Sequence, residues 1–161
     1  METNTAIDEN KLPSSLNVLT ILTFVGCAIS YIFGILGYVN AEKNVTDMQT
    51  NMNNPDMPSF AKNMMTPEAL ESLRIMAVNK LPLLILGLVA TSLCLFGAIQ
   101  MRQRKMNGYY IWLTGEILPF ISAILFISAA SLYKGYAFIG IAITLLFVVL
   151  YSLQRKYLIN K

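Results

Sequence analysis

Residues 81–120 read LPLLILGLVATSLCLFGAIQMRQRKMNGYYIWLTGEILPF and contain the pattern that decides the fold. An apolar run from Leu81 to Met101 is followed by a short basic segment, and a second apolar run begins at Tyr109. About 20 mainly apolar residues in a helix are enough to cross the hydrocarbon core of a bilayer. The stretch therefore predicts two transmembrane helices that are joined by a basic loop.

Two further apolar runs of this kind lie on either side of that stretch, so the sequence predicts an all-α polytopic membrane protein. We expect its four spans to pack as an antiparallel bundle. The predicted spans are 16–39, 81–101, 109–132 and 136–153. The segments between and around them are an N-terminal tail (1–15), a long loop (40–80), a basic loop (102–108), a short turn (133–135) and a basic C-terminal tail (154–161).

The composition of the 161-residue chain excludes several classes of protein. Hydrophobic residues make up 55% of the chain and charged residues only 13%, against about 25% charged residues in soluble domains. The net charge of +3 is too small for the basic surface of a nucleic-acid-binding protein. Histidine is absent, which removes Ser-His-Asp triads and His-based metal sites. We therefore expect a non-enzymatic protein with the lipid bilayer as its environment and without a cofactor.

The distribution of positive charge predicts the orientation. Lys and Arg accumulate in short cytoplasmic loops of membrane proteins, and an even number of spans places both termini on one side. We therefore expect both termini on the cytoplasmic side of the membrane. Tyrosines near the predicted span ends are interpreted as an interfacial belt, because amphipathic aromatic rings settle at headgroup level. The basic residues are Arg102, Arg104, Lys105, Arg155, Lys156 and Lys161, and the tyrosines are residues 38, 109, 110, 133, 136, 151 and 157.

The 40–80 segment is much longer than the 2 to 8 residues that usually join the helices of a bundle. Thr66-Pro67-Glu68 is typical of a helix start, with a capping residue, a first-turn proline and an acid near the helix N-terminus. Asn53-Asn54-Pro55-Asp56 is a clear break. We expect a small helical extracytoplasmic segment that binds a membrane-protein partner. Its methionines fit an adaptable packing surface better than a Cu(I) site, although thioethers can bind Cu(I).

Small residues recur at four-residue spacing and predict close helix contacts, because they let helix backbones approach in lipid. We expect them to close contacts inside one bundle, and a homodimer interface on the first span is the alternative. The positions are Gly26, Ser30 and Gly34 in the first span, and Ala90, Cys94 and Ala98 in the second.

Glu116 is the only charged residue within the predicted spans, which makes it the candidate intramembrane functional site. Ionisable residues in a membrane usually face the bundle interior or a water-filled cavity. Two interpretations stay open, a hydrogen-bonded contact between helices and a site for a proton, ion or substrate. The residues expected to complete the site are Thr114 and Pro119 on the same span, with Thr23, Thr91 and Gln100 on other spans.

The stretch MRQRKMNGYYIWLTGEILPF (101–120), together with the layout of the chain, resembles small four-helix inner-membrane proteins of Bacteroidota-type bacteria. That resemblance implies four membrane helices and brings no activity with it. Small multidrug transporters also have four short helices and a membrane glutamate, but theirs lies in the first helix, whereas Glu116 lies in the third span. Two hypotheses follow: an accessory or interaction subunit that uses the 40–80 loop, or a small proton-coupled carrier that uses Glu116.

Overall fold

A computed structural model describes residues 13–59, 61, 65–127 and 136–158 of the chain. These residues form an all-α structure with six helices. The predicted turn at 133–135, most of the N-terminal tail and the end of the third predicted span lie outside the described residues. The helices are α1 (Ser14–Val39), α2 (Ala41–Met52), α3 (Pro67–Val78), α4 (Lys80–Arg102), α5 (Met106–Phe126) and α6 (Tyr136–Gln154), and a single 3₁₀ turn follows at Arg155–Tyr157.

Four of the helices, α1, α4, α5 and α6, are long and apolar enough to cross a membrane, as the sequence predicts. Their outer surfaces carry large apolar side chains that face away from the protein. Phe33 on α1 is 68% exposed and Leu125 on α5 is 71% exposed. Soluble monomers rarely leave extended apolar surface of this kind open to water.

Single asparagines separate the two shorter helices from the spans. Asn40 lies between α1 and α2, and Asn79 lies between α3 and α4. At both positions backbone hydrogen bonds continue across the junction, from Asn44 to Asn40 and from Leu83 to Asn79. Pro82 explains the second junction: it lacks the N–H that would bond the carbonyl of Val78, so α3 ends there. α2 and α3 therefore continue the long helices α1 and α4 beyond these breaks.

The sequence signals in the long loop are confirmed at both ends. The hydroxyl of Thr66 accepts a hydrogen bond from the backbone N–H of Ala69 at 3.2 Å and so caps α3. α2 ends at Met52, where the predicted break begins, and the side chain of Asn54 accepts a bond from the N–H of Asp56 at 3.0 Å.

The tightest helix contact joins α4 and α5, which are connected by residues 103–105. Three glycines make this contact possible. An added Cβ on Gly97, Gly108 or Gly115 would lie 2.5 to 2.8 Å from backbone or side-chain atoms of the facing helix. Only the missing side chains allow the two backbones to approach this closely.

Buried aromatic residues hold the helices together at the end that carries the basic loop. The ring of Trp112 on α5 lies 4.5 Å from the ring of Tyr151 on α6, and neither residue is exposed. Leu16 of α1 and Met101 of α4 complete this core and are also fully buried. Packing around Trp112 therefore involves all four long helices.

Two tyrosines belong to this core rather than to the interfacial belt expected for them. Tyr109 is 5% exposed and Tyr151 is 0% exposed. Each ring packs among helices while its hydroxyl bonds a neighbouring helix. A position near the end of a predicted span does not show whether a tyrosine points to lipid headgroups or into the protein core.

Candidate functional site

Glu116 lies in the middle of α5, between two other long helices. It lies ten positions after Met106, the first residue of α5, which corresponds to roughly 15 Å along the axis. Its Oε1 is 3.7 Å from Sγ of Cys94 on α4. Its Oε2 accepts a hydrogen bond from the hydroxyl of Thr144 on α6 at 3.4 Å. The carboxyl group therefore connects three helices near the middle of α5.

The absence of a side chain at Gly115 makes room for Cys94 to reach the carboxyl of Glu116. A Cβ on Gly115 would lie 2.6 Å from the sulfur of Cys94 and 2.7 Å from the carbonyl oxygen of Ala90. The thiol occupies the space that a side chain would otherwise fill. Cys94 also donates towards the backbone carbonyl of Trp112 at 3.7 Å, so its sulfur is fixed between α4 and α5.

Pro119 lies three residues after Glu116, inside α5. Because proline has no backbone N–H, the carbonyl of Gly115 lacks its usual helical donor. The hydroxyl of Ser122 bonds the carbonyl of Pro119 at 2.8 Å. Pro119 therefore opens the hydrogen-bond ladder of α5 directly beside the carboxyl.

The other residues expected to complete the site have different partners. Thr23 is buried and bonds the hydroxyl of Tyr151 at 2.8 Å. Thr91 donates to the carbonyl of Gly87, and Thr114 donates to the carbonyl of Tyr110 and is exposed. Gln100 packs its Cβ at the glycine contact, 2.7 Å from a Cβ placed on Gly108. The described hydroxyl partner of Glu116 is Thr144.

Sequence reasoning did not assign Thr144 or Tyr151 to this region. In the sequence analysis Thr144 lies unassigned within the last predicted span (136–153), and Tyr151 belongs to the expected interfacial belt. The signal that could have found Thr144 is its position: it is the one hydroxyl in the middle of 139–150, at the depth of Glu116.

A second set of polar contacts between helices lies between Glu116 and the basic loop. The bond between Thr23 and Tyr151 joins α1 to α6, and Nη1 of Arg102 lies 3.5 Å from the hydroxyl of Thr20. Arg102 also stacks over the ring of Phe24 at 5.7 Å. These contacts place polar groups at successive depths between the basic loop and Glu116.

The two stripes of small residues behave differently. Ala90, Cys94 and Ala98 are buried on α4. On α1, Gly26, Ser30 and Gly34 are exposed, and a Cβ on either glycine would meet nothing within 4 Å. The α1 stripe therefore does not close a helix contact within the described chain, and the homodimer alternative stays a prediction.

The chemistry available at Glu116 is that of a carboxyl group with two weak donors in an apolar surrounding. It can accept hydrogen bonds, exchange a proton or pair with a cation. Both cysteines are free thiols. Among the described residues, no group of three His, Cys, Asp or Glu side chains could hold a metal ion.

Comparisons with known proteins transfer no function to this site. No family model, no curated protein and no solved structure matches the chain significantly. The resemblance to small four-helix inner-membrane proteins therefore stays a prediction, and functional conclusions depend on the residues and contacts described above.

Proposed function

We propose that this chain is a non-enzymatic integral protein of a bacterial cytoplasmic membrane and acts as an accessory or interaction subunit. Its recognition surface is the α2–α3 pair, which projects from the spans α1 and α4. The four long helices cross the bilayer as an antiparallel bundle with both termini in the cytoplasm.

The apolar surface of the long helices supports the placement in a bilayer. Hydrogen bonds between the helices support the antiparallel arrangement. Tyr109 bonds Ser152 near one end of α5, and Glu116 bonds Thr144 farther along it, so residue numbers rise on one helix as they fall on the other.

The orientation is supported by the clustering of basic residues at one end. Arg155, just after α6, donates to the hydroxyl of Tyr110 at 3.1 Å and stacks over Tyr109 at 5.1 Å. Ser15, at the start of α1, bonds Gln154 at 2.8 Å. The start of α1, the basic loop and the basic tail thus share one end, which we assign to the cytoplasm.

The interaction role is inferred from how little of α2 and α3 is buried. Each helix has 12 residues and none of them is buried. Helices of this length are marginal in water and gain most of their stability from tertiary packing. Val78, at the end of α3, is 82% exposed. A partner surface that covers this pair would supply the packing that the chain itself lacks.

Photo-crosslinking tests the interaction role. A photoreactive residue at Val78 should capture one protein in a stoichiometric complex, and Val78→Lys should reduce co-purification of that protein. The matched control is a photoreactive residue at Leu125, which is similarly exposed but lies on a span. Capture of lipid alone at both positions would contradict the proposal, and capture of a second copy would replace a foreign partner by a homodimer.

A second function, a small proton-coupled carrier, is favoured by one observation. The carboxyl of Glu116 lies at mid-depth and contacts α4 and α6 at once. Intramembrane ionisable groups commonly mark ion and proton pathways. Flux measurements on reconstituted protein, with Glu116→Gln beside the unmodified chain, separate this function from the first.

A further inference from the structure

A cavity of about 410 Å³ lies between α1, α3, α4 and the first turn of α2, with Pro119 of α5 also on its wall, towards the end of the protein opposite the basic loop. Its volume is within the range of about 300 to 1,000 Å³ typical of small-molecule sites. The walls are mainly apolar and include Phe33, Leu73, Leu83 and Leu88. A ligand that fills this space would therefore be largely apolar.

Glycines create much of this space. Gly34, Gly37 and Gly87 line the cavity, and a Cβ on any of them would meet nothing within 4 Å. The glycines of the α4–α5 contact behave in the opposite way, because they touch the facing helix. At these three glycines the cavity wall is therefore bare helix backbone, which no side chain of the described residues covers.

Polar groups are unequally distributed along the cavity. Lys80, Tyr38 and Asn44 line its outer end, and the ammonium of Lys80 lies 5.6 Å from the centre of the Tyr38 ring. At the inner end, the hydroxyl of Thr91 already donates to the carbonyl of Gly87. One end can therefore hold a charged group, whereas the inner wall offers the hydroxyls of Ser30 and Thr91 and otherwise mainly apolar side chains.

The depth of the cavity matches one leaflet of a bilayer. Lys80 and Thr91 are eleven positions apart on α4, or roughly 16 Å at the rise of an α-helix. Half of a hydrocarbon core of about 30 Å is roughly 15 Å. Lys80 is the first residue of α4, which is the level at which the phosphates of that leaflet would lie.

We propose that this cavity holds one acyl chain of a membrane glycerophospholipid, with the phosphate of its headgroup paired to Lys80. The asymmetric lining and the one-leaflet depth fit an amphiphile that enters from the outer leaflet. Lys80 also pairs with Glu42 at 2.6 Å, and the side chain of Glu42 is 80% exposed. A bound phosphate replaces the exposed Glu42 carboxylate as the partner of the ammonium.

Native mass spectrometry of the full chain, released from nanodiscs of palmitoyl-oleoyl phosphatidylglycerol, tests the acyl-chain site. The unmodified protein should retain one phospholipid. Gly34→Leu and Gly87→Leu fill the cavity from two different helices and should each abolish retention. Gly26→Leu is the matched control, because Gly26 also meets open space but does not line the cavity. Equal retention in the Gly34 and Gly26 variants would overturn the proposal.

Two further variants test the proposed contact between the phosphate and Lys80. Lys80→Gln should lower retention about tenfold, the change expected when one charge-assisted hydrogen bond is lost. Glu42→Gln breaks the same ion pair but keeps the ammonium, so retention should not fall. Unchanged retention in Lys80→Gln, or an equal loss in Glu42→Gln, would overturn the phosphate contact.

This inference rests on the placement of the chain in a bilayer, and the two can fail separately. If the chain is not an integral membrane protein, alkaline carbonate will release it from membranes and no variant will carry lipid. If only the lipid site is wrong, the chain will stay in the membrane while the cavity-filling variants retain as much phospholipid as Gly26→Leu.

Discussion

Gly97 and Gly108 face each other across the α4–α5 contact so closely that a Cβ on Gly108 would lie 2.7 Å from the carbonyl oxygen of Gly97. Real Cβ atoms do not approach a backbone oxygen this closely, so even a methyl group would push the helices apart. The contact therefore depends on glycine at both positions.

Gly108→Ala should destabilise the protein by about 1 to 3 kcal/mol, the usual cost of overpacking a well-packed interior. Thermal or denaturant unfolding in mild detergent measures this change. Gly26→Ala is the matched control and should be close to neutral, because its Cβ meets nothing within 4 Å. Equal stability of the two variants would contradict the close approach of α4 and α5.

Removal of the hydroxyl in Tyr151→Phe should cost about 0.6 kcal/mol, the average for interhelical hydrogen bonds in membrane proteins. Its partner is the hydroxyl of Thr23 at 2.8 Å. A double-mutant cycle with Thr23→Val isolates the pairwise free energy. Additive effects of the two substitutions would show that the bond does not stabilise the fold.

Glu116→Gln separates the structural and functional interpretations of the Glu116 carboxyl. Glutamine keeps one oxygen acceptor for Thr144 or Cys94, and its amide NH2 can donate to the oxygen or sulfur of the other residue, so the free energy of unfolding should change little. If Glu116 carries a proton or cation, flux should be lost in the same variant. Thr144→Val is the companion, because it removes the donor and leaves the carboxyl titratable. Unchanged flux together with unchanged stability in Glu116→Gln would favour a purely structural carboxyl.

Reporter fusions test the orientation. Fusions at Asn107 and after Lys161 should report the cytoplasm, and a fusion near Asn54 should report the outside. The physical basis is the retention of Lys- and Arg-rich short loops in the cytoplasm. A cytoplasmic signal from the Asn54 fusion would invert the proposed topology.

The ion pair at the base of α2 should respond to acid. The hydrogen bond and charge of Lys80 lower the pKa of Glu42 from its ordinary value of 4.5. The pair therefore stabilises the junction above that ordinary value and is lost as the pH falls through the lower pKa of the folded protein. Spin-label distances between positions 43 and 81 should widen or broaden in that acidic range. Glu42→Gln should show no such transition, and an identical transition in that variant would point to another group.

The number of long helices followed directly from the sequence, because length and apolar composition are properties of each segment alone. The start of α3 followed for a similar reason: Thr66, Pro67 and Glu68 act within one turn of chain. Such local patterns need no knowledge of neighbouring helices.

The contacts between helices could not be predicted in the same way. A span that is apolar on every side has no amphipathic stripe to show which face meets a neighbour. The sequence therefore did not distinguish the open glycines of α1 from the close-packed Gly108 and Gly115 of α5. It likewise gave no means to choose Thr144 over Thr23 or Thr91 as the partner of Glu116.

Trp112 is the only tryptophan of the chain, and it is fully enclosed against the ring of Tyr151. Tryptophan fluorescence, excited at the red edge of the absorption band, therefore arises from Trp112 alone, where α5 meets α6. A blue-shifted spectrum reports a docked α6, and a red shift reports water reaching that junction. The fluorescence of Trp112 therefore reports α6 docking in the unmodified protein, without an added label.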